Sequence, residues 1–427
     1  MDIIEKVSNL LWGFPVLDLL LGGGIYLTVK CGFPQIHIIK IFSETFKTIF
    51  ADKGEKQGIS QLQGFSTALA ATVGTGSVVG VGAAIFAGGR GAVFWMWVSA
   101  FIGMAVSYCE NYLGVKYSQC TKLTGAMSYL SKTGKYTAVL YAVFCVLSSL
   151  GMGNMAQANS VVSAAQEGFG TPLHITAFIL VVFTALTVSG KNTTARVCEK
   201  LVPLMALFFI LGSLYIIFTN PVRTANAFMG IFADAFKIKS FAGGVIGTAC
   251  LEGIKRGAFS NEAGLGSTVA VHSSCNIKSP QTQGIMGMAE VFIDTIVICT
   301  LTALVIIISG VDFTQDCAVK SYCAVSGQAG RIFIASALIL FAFATIAGWF
   351  FIGEKAWNYL FPKSQLIYRL ASVICVFVGA VYSPEIIWAV SDIFNALMAL
   401  PNMAGVLILS KQIKRIDYLK SHLERDG

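Results

Sequence analysis

Residues 71–89 read ATVGTGSVVGVGAAIFAGG, with six glycines in an otherwise apolar or hydroxyl-bearing run. The stretch is apolar enough for a membrane helix and built from residues that weaken one. In Val73-Gly74-Thr75-Gly76-Ser77 an opened helix would free backbone N–H groups, which attract a carboxylate. It would also free C=O groups, which attract an ammonium group or a metal cation. The chemistry on offer is therefore recognition of a zwitterion and an ion. A second run with the same character, GGVIGTACLEGIKRGAFSNEAGLGSTVAV, covers 243–271. Fully helical, 240–272 would measure about 48 Å, too long for one straight span, and a break between Gly253 and Gly264 shortens it. The competing reading is helix packing, since Gly76 and Gly80 form a small-xxx-small pair, or a wet loop at Ser260-Asn261-Glu262.

Further polar residues sit inside apolar runs. GMGNMAQANS carries Asn154, Gln157 and Asn159, and AEVFIDTIVICT carries Asp294-Thr295. A carboxylate in such a place reads as functional by default. Lys255 and Arg256 are expected to face a vestibule or the interface. Glu110 and Glu354 fall near span ends and read as interfacial, and Asp392 and Asn395 read as structural. Pro401 is expected to kink the last span. There is no GxSxG, HExxH or Walker motif and no CxxC pair, and the four histidines are scattered. Neither an enzyme nor a metal centre is indicated.

These residues ride on eleven apolar segments, near 10–29, 62–87, 91–113, 137–163, 173–190, 200–219, 240–272, 284–310, 331–352, 366–382 and 385–410. Of the 427 residues 55% are hydrophobic and 12% charged, and the mean hydropathy is +0.72. Most segments have the length of a bilayer crossing and lack the alternation of barrel strands. The fold class is an all-α polytopic membrane protein. The net charge of +8 reflects topology rather than nucleic acid. With the N-terminus outside and the C-terminus in the cytoplasm, only six of the 30 Lys and Arg fall in outer loops. The first segment is not followed by a cleavage site, and IHIIKIFSETFKTIF after it suits the inner membrane surface. The eleven cysteines read mostly as small buried apolar residues, although Cys317 and Cys323 share an outer loop and could pair.

Residues 1–61 hold an extra span and the amphipathic segment, and 62–219 and 240–410 hold five spans each. Residues 220–239 connect them outside, and 411–427 form a basic tail. Five spans per half place the second half inverted relative to the first, and the first span of each half is the glycine-rich one. That is the layout of inverted-repeat transporters.

At these motifs the chain resembles the alanine/glycine:cation symporters, or sodium:alanine symporters, of the amino acid–polyamine–cation superfamily. The resemblance rests on ALAATVGTG at 68–76, GAVFWMWV at 91–98, GNMAQANS at 153–160 and above all GIKRGAFSNEAGLGS at 253–267. AGWFFIGEKAWNYLF at 347–361 and LMALPNMAG at 397–405 continue it. It implies a LeuT-type 5+5 inverted repeat of ten core spans behind one extra helix. It implies import of a small neutral amino acid, L-alanine or glycine, with Na⁺ as coupling ion, no cofactor, and a monomer in the plasma membrane. Carried over by position, Thr75, Gly76, Gln157, Phe259, Ser260 and Asn261 line the substrate site, with Ser77 beside it. The carbonyls of Ala70 and Val73 with Thr345 resemble the superfamily's sodium site, and a second ion sits near Ser77 and Asp294-Thr295. Ser77 stands where the family has Asn, Ala344 where it has Ser, and Arg90 where it has Pro, and GGPMYY becomes TGAMSYL at 124–130. The first two changes shorten or remove an oxygen ligand, so H⁺ coupling or exchange is the alternative; a transporter-like sensor is the reading from another class.

Overall fold

The computed structural model describes residues 2–52, 58–190, 193–236, 247–276, 279–314, 317–382 and 384–416. Each apolar segment is helical over these residues, or helical with an interruption. The start of the segment expected from 240, and the tail from 417, lie outside the described residues.

The extra span is α1 (Asp2–Trp12) and α2 (Phe14–Cys31), followed by the surface helix α3 (Ile38–Ala51). The first glycine-rich segment is α4 (Gln61–Thr72) and α5 (Val79–Gly88), with 73–78 between them. Next come α6 (Gly91–Thr121), α7 (Met127–Thr133), α8 (Lys135–Ser148), α9 (Gln157–Phe169), α10 (Leu173–Ser189), α11 (Thr193–Phe218) and α12 (Pro221–Ala235). The second glycine-rich segment is α13 (Thr248–Asn261) and α14 (Val269–His272). It is followed by α15 (Pro280–Val291), α16 (Thr300–Ser309), α17 (Cys317–Leu360), α18 (Gln365–Val381) and α19 (Pro384–Ile408). A wider π-helical stretch joins α8 to α9 over Ser149–Ala156, and another joins α15 to α16 over Phe292–Cys299.

Among the described residues seven runs are long and apolar enough to cross a membrane, and three shorter apolar helices accompany them. Neither α4 nor α5 reaches across alone, since their 12 and 10 residues span about 18 and 15 Å. Helix α6 is the central strut, packed against α13 and α15, and α17 packs against α4, α9 and α11. Two stretches read as loops are helical: α12 lies in the connector expected at 220–239, and α17 starts ten residues before its kink at Gly327 (φ 58°). Cys317 and Cys323 both stand on that early helix as free thiols, so the pairing allowed by the sequence is not made. Helix α3 packs on α15 through buried Ile41 and Thr45 and sets Phe42 against Phe292 at 5.3 Å between ring centroids. It leaves Ile39 and Phe50 exposed, as an amphipathic surface helix does.

Candidate functional site

Helix α4 starts with a reciprocal cap, in which the Ser60 hydroxyl accepts from the Gln63 N–H and Gln63 accepts from the Ser60 N–H. It stops where Val73 and Gly74 leave helical geometry, and Thr75–Ser77 form one tight turn before α5. Gly74 is needed for contact, because a Cβ there would stand 2.6 Å from Thr345 Oγ1. The Thr345 hydroxyl donates to the Ala70 carbonyl at 2.9 Å. The Thr75 hydroxyl donates to Gln157 Oε1 at 3.0 Å, its N–H lies 3.4 Å from the same oxygen, and Gln157 Nε2 donates to the Met152 carbonyl. Gln157 thus braces the break from the end of a π-helical stretch, a feature often found at functional sites.

The other expected ion site is assembled from three elements. Asp294 accepts from Ser77 at 2.6 Å on one oxygen, and from Ser260 at 2.7 Å and Thr295 at 2.9 Å on the other. Ser77 and Ser260 are 3.2 Å apart, Asn261 donates to Thr295, and Thr302 donates to the Ser77 carbonyl. Every side chain in this cluster is at most 2% exposed. Three hydroxyl oxygens around one carboxylate are oxygen donors of the kind a hard cation takes. Phe259 lies beneath Gly76, its ring 3.6 Å from where a Cβ would be, and faces Trp388 at 6.0 Å.

The second break begins at Glu262, at the late end of the expected 253–264 interval, and runs past it to 268. Helix α13 runs unbroken through Gly253 and Gly257, and the chain opens only at 262–268. Those two glycines serve contact with α6: a Cβ on Gly253 would lie 2.3 Å from the Ala92 carbonyl, and one on Gly257 2.9 Å from Ser99 Cβ. The backbone turns through left-handed Glu262 (φ 56°), Gly264 (φ 92°) and Gly266 (φ 71°). A non-glycine residue held there costs about 1–2 kcal/mol. Glu262 is pinned by Trp349 Nε1 at 2.8 Å and by the Ser267 hydroxyl. Glu110 is not interfacial but fully buried. It accepts from the Gly264 N–H at 3.4 Å and from Asn402 Nδ2 at 2.8 Å. Asn402 also donates to the Gly264 carbonyl and accepts from Tyr129. The freed backbone of this break is thereby satisfied by side chains from α6 and α19, as a low-dielectric interior requires.

Lys255, expected at a vestibule or interface, is buried and pairs with Asp392 at 3.6 Å, and Arg256 approaches the same oxygen at 4.0 Å. At the end of the bundle holding the start of α4, a polar chain links α4, α14 and α15. His272 bridges Glu290 at 3.1 Å and Gln283 at 2.7 Å. Gln283 donates to Gln61 at 2.6 Å, and Gln61 and Asp52 both meet Asn276. Sequence reasoning missed Gln61, His272, Gln283, Trp349, Trp388 and Asn402. The signal available for Asn402 was its place after Pro401 in an apolar span.

Two interrupted helices meet here, each turning a serine hydroxyl to one buried carboxylate. Fold and site define a secondary transporter embedded in the membrane as a multi-pass protein. The chain belongs to the sodium:alanine symporter family, whose profile matches residues 1–425. It is 39% identical over 428 residues to the sodium/alanine symporter AgcS of Methanococcus maripaludis, covering 96% of this chain and 94% of that protein. It is 32% identical to the probable sodium/glutamine symporter GlnT of Bacillus subtilis, covering 96% and 88%. Among solved structures, MhsT in complex with L-phenylalanine superposes with a TM-score of 0.60 over 83% of this chain and 90% of that one. At 15% identity this is a likeness of fold, the LeuT type.

Proposed function

We propose that this protein imports small neutral amino acids, alanine or glycine, in symport with Na⁺. The observation carrying this reading is the meeting of both breaks at Asp294: Ser77 from the first, Ser260 from the end of α13, Thr295 beside the carboxylate. In this reading Na⁺ sits between the Asp294 carboxylate and the oxygens of Ser77, Ser260 and Thr295, whose hydroxyls keep their protons and rotate them away, while the Thr75 and Gly76 backbone holds the substrate carboxylate. Gln157, Phe259, Ser260 and Asn261 shape the rest of the pocket. A further Na⁺ sits among the Ala70 and Val73 carbonyls and Thr345. The Phe259 ring, paired with Trp388 and close against Gly76, gives the substrate's small side chain an apolar wall. Ten core spans in two inverted halves, 62–219 and 240–410, carry the site by alternating access. The N-terminus lies outside and the protein works as a monomer.

The test is uptake of labelled alanine into proteoliposomes under an inward Na⁺ gradient, an inward H⁺ gradient, or neither. Accumulation with Na⁺ alone is the expected result. Accumulation with H⁺ alone means that Ser77 and Ala344 mark a switched coupling ion. Alanine, glycine and serine all inert would overturn the substrate assignment.

A further inference from the structure

Cys31 and Cys109 stand with their sulfur atoms 3.5 Å apart, both buried, and both are free thiols. Cys31 is the last residue of α2, ahead of left-handed Gly32, and Cys109 sits in the middle of α6. The guanidinium of Arg415 occupies the space where a side chain on Gly32 would stand. The extra N-terminal helix therefore ends on the central strut through a pair of thiols. Closing to a disulfide needs an approach of about 1.5 Å, to a bond of about 2.05 Å.

We propose that Cys31 and Cys109 are a reversible redox site, joined as a disulfide by hydroperoxides, and that the bond slows transport by fastening α2 to α6. The Cys31 sulfur attacks the peroxide, which breaks its O–O bond, leaves as an alcohol and makes a sulfenic acid. The Cys109 sulfur then attacks that sulfenic sulfur and releases water. In sum, two thiols and one hydroperoxide give one disulfide, one alcohol and one water, with two electrons passing from sulfur to oxygen. Reducing conditions keep the thiols as the resting state, as expected of an intracellular redox-sensing pair. The effect on transport follows from the neighbour: Glu110, next to Cys109, holds Gly264 and Asn402 at the second break. A covalent tie at that turn restrains the segment that must rearrange.

The transport consequence rests on the symport reading, but the bond itself is read by mass. Reconstituted protein is treated with tert-butyl hydroperoxide and remaining thiols are blocked with N-ethylmaleimide; linked peptides are then mapped and alanine uptake is followed. Expected are peptides joined through Cys31 and Cys109, a severalfold fall in uptake, and recovery with dithiothreitol. Cys31→Ser and Cys31→Ala should both transport and both lose the response. Absence of the linked peptides, under an exposure that oxidises exposed Cys120, overturns the site. Linked peptides with unchanged uptake overturn the regulatory role. Alanine inert before any oxidant, with the link still formed, overturns the transport reading and leaves the thiol site standing.

Discussion

Ser77 and Asp294 lie 217 positions apart in the chain and 2.6 Å apart in space. The contact joins the first break to the π-helical stretch after α15. It does so with a serine, one atom shorter in reach than an amide side chain. The carboxylate makes up the reach, since each of its oxygens takes a hydroxyl.

Asp294→Asn should therefore weaken the cation more than the substrate. Hydrogen bonds and contacts to a charged group are worth about 1.5–3 kcal/mol, so the half-saturating Na⁺ should rise roughly ten- to hundredfold. The Na⁺ dependence of initial alanine uptake reads this directly. An unchanged Na⁺ curve would remove Asp294 from the ion site.

Gln157→Ala should act on the substrate. It strips the brace from Thr75, to which Gln157 Oε1 is bonded at 3.0 Å. Losing a net bond of about 0.5–1.5 kcal/mol raises half-saturating alanine by roughly two- to tenfold. Calorimetric binding of Na⁺ without substrate should stay as in the parent protein.

Ala344→Ser tests a departure from the family pattern. The residue is fully buried beside Thr345, whose hydroxyl already reaches the Ala70 carbonyl. A serine oxygen there should lower half-saturating Na⁺ severalfold. No shift in the Na⁺ curve would mean that this corner holds no cation.

Gln61→Ala should loosen one mouth of the protein. Helix α4 lies between the Val73–Gly74 break and Gly58 (φ 99°), and Gln61 ties its first turn to Gln283 and Asn276. Hydrogen–deuterium exchange should then quicken in α4 while α6 stays protected. Equal exchange in parent and variant would show that these bonds do not hold the helix.

Gly253→Ala should lower thermal stability. The added carbon meets the Ala92 carbonyl at 2.3 Å, a backbone atom unable to rotate away, and such overpacking costs about 1–3 kcal/mol. A melting curve in detergent matching the parent would mean that α13 and α6 can separate freely.

Much of this arrangement was legible in the chain. The first break could be read because Gly74, Thr75, Gly76 and Ser77 weaken a helix and offer polar atoms in one stretch. The second could be bounded only loosely, between Gly253 and Gly264, because a glycine that opens a helix and a glycine that admits a neighbouring helix look alike in sequence. Only the neighbour, here Ala92 of α6, distinguishes them. Glu110 looked interfacial because its distance from the span end was legible while α6 running on to Thr121 was not. Trp349 and Trp388 left no trace, since an aromatic residue in an apolar span reads as lipid-facing or core. Their roles come from partners far along the chain.

Helix α17 carries one last consequence. Thr345 and Trp349 are successive teeth on one edge of it, a single turn apart. The first engages Ala70 on one broken helix, the second Glu262 on the other. One helix thus holds both broken helices at once, a turn apart. Under the symport reading, an ion that drew the Ala70 carbonyl from Thr345 would bear on α17 one turn from its hold on Glu262, a route between the two breaks that bypasses the substrate.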